Sequence, residues 1–316
     1  MVLKVLGFYS GFDERTKGYR YLRQYGCLLD EVAFFRVAIR NNGELFGAPS
    51  RHLINEIHKM GIKVLLTISN LTSQGHFSTE LISRLVRDKE FSGQVWQAIR
   101  NMMAVYKFDG INLDLEKGVP GDRKLFTEFI RFWTIRFKQE NFLISLDVPA
   151  KIADESGDIR EGVFDYKALG KIADQIVIMS YEEHWPGSQP GSIASFPWVK
   201  QVLDYALESI PATKIFISIP LYGYDWNGSG RAKVVSFERA NQIARRFGAP
   251  LKWDSQQHST YFTYQVRDQK HTVYFEDLLS IKEKLDLAVA KGIGGIAVWQ
   301  MNLSFNQFWE VLRPYV

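Results

Sequence analysis

The chain has 316 residues, 46 % of them hydrophobic and 23 % charged, with a formal net charge of +4. These values fit a folded protein of one large domain or two ordinary ones and exclude a disordered or single-sign chain. The positive excess is mild and scattered, so no nucleic-acid partner is expected, and no apolar run reaches the roughly 18 residues of a membrane span.

Met1 leads straight into VLKVLGFYS (2–10), which reads as a strand and not as an export leader. Cys27 stands alone, which rules out an internal disulfide, and its neighbours Leu28 and Leu29 predict a small buried side chain. Further apolar, β-branched runs follow: EVAFFRVAI (31–39), KVLLTIS (63–69), DGINLDLE (109–116), FLISLDVPA (142–150), QIVIMSY (175–181), KIFISIPLYGY (214–224) and GGIAVWQM (294–301). Between most of them lie stretches of helical spacing, among them 50–61, 92–107, 123–140 and 278–292. Strand then helix, repeated, predicts a parallel sheet covered on its outside, and eight such units close into a (β/α)8 barrel of the triosephosphate isomerase type. An open doubly wound sheet is disfavoured because GFYSGFDE follows the first strand where a dinucleotide fold has its glycine fingerprint.

One segment departs from this rhythm. Residues 227–276 hold KVVSF (233–237), the helical ERANQIARRFG (238–248), then LKWD, STYFTYQVRD and KHTVYFE, which alternate like antiparallel strands. The expected organisation is therefore a catalytic barrel over 1–226 and 277–316, with a small α+β insertion over 227–276 on the rim where barrels bind substrates.

The strand FDGINLDLEK (108–117) carries the chemistry. Two-residue spacing advances ~6.6 Å along a strand, so Asn112, Asp114 and Glu116 form one column while Ile111, Leu113 and Leu115 form the other. In a barrel the apolar column meets the helices and the polar one faces the axis, with Glu116 at the C-terminal end where barrel enzymes place catalysis. Two adjacent buried acids do not both ionise cheaply. Glu116 is thus read as a proton-bearing general acid and Asp114 as a charged stabiliser, an arrangement suited to cleaving a glycosidic bond.

DGINLDLE resembles the D-x-x-D-x-D-x-E signature of glycoside hydrolase family 18, the chitinase family, with Asp109, Asn112, Asp114 and Glu116 in its four slots. MSYE (179–182), PLYG (220–223) and Trp299 resemble its motifs on the sixth, seventh and eighth strands. The resemblance implies substrate-assisted catalysis with retention, in which the sugar's own 2-acetamido oxygen attacks the anomeric carbon. It implies Glu116 as acid and then base, Asp114 on the acetamido N–H, Tyr181 on the acetamido carbonyl, Trp299 under the sugar ring and Met179 on the pocket wall. Asp109 and Asn112 are supporting residues.

Asn112 stands where the family has an acid, Glu182 where it has aspartate, and TISN (67–70) where chitinases commonly have paired glycines. With YEEHWPGSQPGSIASFPWV (181–199) and IPLYGYDW (219–226), these features resemble the cortical-fragment-lytic N-acetylglucosaminidases of spore-forming bacteria. That branch implies peptidoglycan of the spore cortex as substrate and a spore-associated or cell-wall location; chitin oligomers, or a non-catalytic amino-sugar lectin, are the alternatives. Further substrate contacts are expected from Glu182, Tyr222, Tyr9, Trp226 and Asn70, and rim rings from Trp185, Trp198 and Trp253. His184 has no second histidine at ligand spacing, so neither metal nor cofactor is expected. His52 and His58 are expected on the surface of an outer helix.

Overall fold

Each of the eight apolar runs forms a strand: β1 (Lys4–Ser10), β2 (Glu31–Ile39), β3 (Lys63–Ser69), β4 (Gly110–Asp114), β5 (Leu143–Pro149), β6 (Gln175–Met179), β7 (Ile215–Pro220) and β8 (Gly295–Trp299). Neighbours in this series pair in parallel, and β1 pairs with both β2 and β8, which closes the sheet into a barrel. The computed structural model describes residues 2–316 apart from 12, 48, 73, 156, 159, 160 and 229–231; the last three belong to the expected insertion. Closure demands close backbone approach: a Cβ at Gly295 would lie 2.3 Å from the Lys4 carbonyl oxygen, so only glycine fits there.

Strands buried on both faces serve two cores. Leu6, Phe8, Leu65, Val177 and Phe216 fill the barrel interior, whereas Val5, Ile111, Leu113 and their equivalents pack outward against the helices. The four long helical stretches become Arg51–Lys59, Lys89–Tyr106, Arg123–Gln139 and Leu278–Lys291. Side chains at their starts satisfy free backbone donors: Ser50 accepts from Leu53 N–H, Asp88 from Phe91 N–H and Asp277 from Leu279 and Ser280 N–H. The second helix starts before its apolar pattern does because Asp88 is the cap. Among the described residues no helix is long and apolar enough to cross a membrane.

The run at 214–224 divides. Its parallel ladder stops at Pro220, which has no N–H to donate, and Tyr222–Trp226 turns into a second, antiparallel sheet. That strand lies between Lys233–Ser236 and Gln269–Phe275, with Ser259–Val266 and Lys252–Asp254 beyond. The helix Phe237–Phe247 covers it, and Val235, Ala240, Ile243, Phe262, Val273 and Phe275 form its own core. Cys27 is exposed, contrary to the buried position expected of it: the short 3-10 turn Gly26–Leu28 gives the inward directions to Gly26 and Leu28.

Candidate active site

The polar column of β4 points into the barrel as its parity demands. Ile111, Leu113 and Leu115 pack outward, Asn112 and Asp114 are buried inside, and Glu116 stands half-buried just past the strand's end. Asp114 and Glu116 open onto a cleft of about 850 Å³ at the C-terminal mouth of the barrel. Asn70, at the end of β3, fixes Glu116 through its backbone: the amide Nδ2 donates to the Glu116 carbonyl at 2.8 Å and Oδ1 accepts from the Glu116 N–H at 2.9 Å. Asn70 also donates to Ser78 O and lies outside the cleft lining, so it holds the acid instead of touching sugar as expected. Asn70→Ala therefore lowers kcat/KM by roughly tenfold, since a displacement near 1 Å is costly, and lowers stability by about 1–3 kcal/mol for the groups left unpaired. Steady-state kinetics and urea unfolding on one preparation check both.

The Glu116 and Asp114 side chains lie close enough to couple, with Ser69 beside Asp114, and Asp114 Oδ2 is buried without a hydrogen-bond partner among the described residues. Burial pushes Asp114 up to about 6, while the Ser69 contact, the Arg36 charge and the Glu116 contact pull it down. Glu116 is held well above the ordinary carboxylate range, first by burial and then by the charges of Asp114 and Asp147, with Lys117 opposing. Burial and its acidic neighbours thus favour the protonated form of Glu116 above the ordinary carboxylate range. A proton-bearing acid at the mouth above a charged carboxylate can deliver that proton to an oxygen in the cleft and stabilise positive charge that forms beside it.

Aromatic rings build the walls. Trp299, at the end of β8, is braced edge-on by Phe8 at 5.4 Å and Phe35 at 4.7 Å, and stacks at 6.1 Å on Tyr181. Burial, then the charges of Glu116, Asp147, Asp114 and Glu182, hold the Tyr181 hydroxyl well above its ordinary value, so it remains a donor. Met179 lines the same wall. Glu182, with a left-handed φ of 65°, accepts from the Tyr222 hydroxyl at 2.5 Å and from Tyr224. Tyr222, Tyr224 and Trp198 line the cleft as well.

A model of the glycosyl hydrolases family 18 matches residues 5–303. The chain belongs to glycoside hydrolase family 18. It is a glycosidase, 32 % identical over 297 residues to the cortical fragment-lytic enzyme of Bacillus anthracis, a match covering 92 % of this chain and 69 % of that protein. The structure of the Bacillus cereus spore cortex-lytic enzyme SleL superposes with a TM-score of 0.92 at 28 % identity, covering 99 % of this chain and 74 % of that one. A chitinase from Chromobacterium violaceum gives 0.91 at 29 % identity, covering 98 % of each chain.

Several residues read as site contacts lie elsewhere in this family-18 barrel. Tyr9 is fully buried, with its hydroxyl bonded to Asp13 O at 2.6 Å and Thr16 Oγ1 at 2.5 Å and its ring against Phe34; Phe8, one residue earlier, faces the cleft. Trp226 is buried against Tyr224 and Trp253 packs against His258, both outside the cleft lining, while Trp185 is exposed. Asp109 lies at the opposite end of β4, where it accepts from Val64 N–H at 2.7 Å and bonds His58 at 2.9 Å. His58 is accordingly only partly exposed, while His52 is exposed. The His184 ring bonds the Gln189 carbonyl at 2.9 Å. Two charged groups escaped the sequence reading: Asp147 on β5 and Arg36 on β2. Asp147 is the one charge in its apolar run and Arg36 the one charge past Glu31, which opens its run; that interruption was the available signal.

Proposed function

We propose that this family-18 enzyme is a retaining β-N-acetylglucosaminidase that cleaves peptidoglycan fragments of the spore cortex by substrate-assisted catalysis. The observation that carries the reading is the placement of Glu116 beside Asp114 in a cleft walled by Tyr181 and Trp299, where burial and its acidic neighbours raise the Glu116 pKa. In the first step the acetamido oxygen bonds to the anomeric carbon, the C1–O bridge breaks, and the Glu116 proton passes to the departing oxygen. Asp114 takes the acetamido N–H and supports the positive charge of the oxazolinium, and Tyr181 donates to the acetamido group. In the second step Glu116, now a carboxylate, takes a proton from water as that water attacks C1 and releases the acetamido oxygen. Two inversions leave the configuration retained.

Peptidoglycan is favoured by the 31–32 % identity to cortical fragment-lytic enzymes of two Bacillus species. Chitin oligomers are the second reading, favoured by the end-to-end match to a chitinase. A glycan-binding protein without turnover is disfavoured because Glu116, Asp114 and Tyr181 are all present and all line the cleft. Mass spectrometry of products from cortex fragments and chitin oligomers, run in parallel, decides: new N-acetylglucosamine reducing ends from cortex fragments support the proposal, and cleavage of chitin alone replaces it with the second reading. An N-acetylglucosamine thiazoline, which mimics the bicyclic intermediate, inhibits either activity if the sugar's amide is the nucleophile.

A further inference from the structure

Position 112 holds an amide, yet the barrel interior contains a third acid. β5 pairs with β4 so that Ser145 lies opposite Asn112 and Leu146 opposite Leu113, which brings Asp147 level with Asp114. On the other side β3 sets Ser69 opposite Asp114. Across three adjacent strands the layer reads Ser69, Asp114, Asp147. Asp147 is only 4 % exposed and lines the cleft, and its Oδ1 accepts from Asn112 Nδ2 at 2.8 Å; the same amide nitrogen lies 3.2 Å from Ser145 Oγ. Its hydrogen-bond partner is thus an amide and not a cation. A lone buried carboxylate in an apolar strand is expensive and is seldom kept without a task.

We infer that Asp147 is the third acid of the active site, a positioning residue that orients Asn112 through a hydrogen bond and sets the protonation of the Glu116–Asp114 pair from the neighbouring strand. This rests on the reading of Glu116 as the general acid. Asp147 faces Asp114 and Glu116 from β4, with Tyr181 and Glu182 beyond β6, Arg36 reaching in from β2 and Lys117 following Glu116. Burial and then the Asp114 charge hold Asp147 well above its ordinary range, the Asn112 contact opposes this, and Asp147 in turn raises Glu116. All three acids are thus biased toward their protonated forms, and Glu116 feels the charges of both Asp114 and Asp147. The carboxylate and the amide exchange roles between two strands: a pair of side chains differing by one atom, in direct contact, divides the work of accepting and donating hydrogen bonds beneath the acid.

The contact makes an exchange experiment possible. Asp147→Asn removes a negative neighbour from Glu116, so the Glu116 pKa falls and the alkaline limb of kcat moves to lower pH by about one unit, with kcat at neutral pH down roughly tenfold. The exchanged variant N112D/D147N restores the number of carboxylates, and both the limb and kcat return toward the parent values. A limb unmoved in Asp147→Asn, or an exchanged variant no better than the single one, overturns the inference and leaves Asp147 a packing residue. Should Asp147→Asn fail to fold, Asp147→Glu keeps the charge: the expected outcome is a limb within a few tenths of a unit of the parent, and a shift like that expected for Asn counts against the inference. The Glu116 carboxyl is also titrated directly by 13C NMR in the free protein. A downward shift of that titration in Asp147→Asn, found together with full turnover in Glu116→Gln, would uphold the Asp147 contact while rejecting the proposed function.

Discussion

Glu116→Gln lowers turnover of cortex fragments by roughly 10²–10⁴-fold, the range that general acid catalysis supplies, while substrate binding changes little. Glutamine keeps the side-chain size and leaves both backbone contacts to Asn70 in place, so the cleft keeps its shape. What is lost is the proton and, in the second step, the base. On the proposed mechanism the parent enzyme works only while Glu116 is protonated. Because burial and the neighbouring acids raise its pKa, activity persists above the ordinary carboxylate range and falls as pH rises through the Glu116 pKa, a limb absent from the Gln variant. Steady-state kinetics across pH, with calorimetric titration of an uncleaved oligosaccharide into the variant, separates kcat from affinity. Unchanged hydrolysis in Glu116→Gln would remove Glu116 from the role of acid and leave the chemistry to another group.

The barrel was legible because its information is periodic. Eight apolar runs separated by helical stretches leave few topologies, and the polar column of β4 reveals which way that strand faces. β1 gives no such cue: Val5, Leu6, Phe8 and Tyr9 are all buried, so parity cannot tell which ring enters the barrel. Phe8 does, and Tyr9, the more polar ring, is used to tie down the loop through Asp13 and Thr16. Trp226 shares a strand face with Tyr222 and Tyr224, but it lies past the cleft. Distance along a strand from an active site is a tertiary quantity that sequence alone does not carry. Asp147 was hidden for the opposite reason, because β4 had already supplied an acid column and one aspartate in FLISLDVPA (142–150) blends into an apolar run. Its importance depends on the register between β4 and β5, which only pairing reveals.

That pairing also shows how the site is assembled. Asn70 comes from the end of β3, Asn112 and Asp114 from β4, Asp147 from β5, Tyr181 from beyond β6 and Trp299 from β8. No single element could place these groups, and each stands on, or just past the end of, a strand of the buried barrel sheet, where the packed core holds it. The strand Tyr222–Trp226 of the second sheet contributes Tyr222 and Tyr224 to the same cleft and, through Glu182, hydroxyl contacts to the segment beyond β6. A wall built this way stays correct only if the insertion is firmly joined to the barrel.

Lys284→Met breaks that join and costs about 3–5 kcal/mol of stability near neutral pH. Glu276 directly follows the last insertion strand, and Lys284 lies in the barrel helix Leu278–Lys291 that comes next. The two form an ion pair at 2.8 Å with both side chains fully buried, and the Ser280 hydroxyl donates to the same carboxylate oxygen at 3.0 Å. Burial raises the Glu276 pKa, and Lys284 is the first of the groups that pull it back. Without Lys284 the folded-state pKa climbs further above the unfolded value of about 4.3. A folded-state pKa above the unfolded one lowers stability as pH rises, by up to about 1.4 kcal/mol per unit, so the variant's deficit is largest near pH 7 and shrinks toward pH 4. At low pH the parent also loses its pair, leaving Lys284 buried beside a neutral acid, which narrows the gap further. Urea unfolding at pH 4 and pH 7 reads the difference, and Glu276→Gln/Lys284→Met, which removes both charges, recovers most of the loss. An equal deficit at both pH values would show that the cost comes from packing alone and not from a stranded carboxylate.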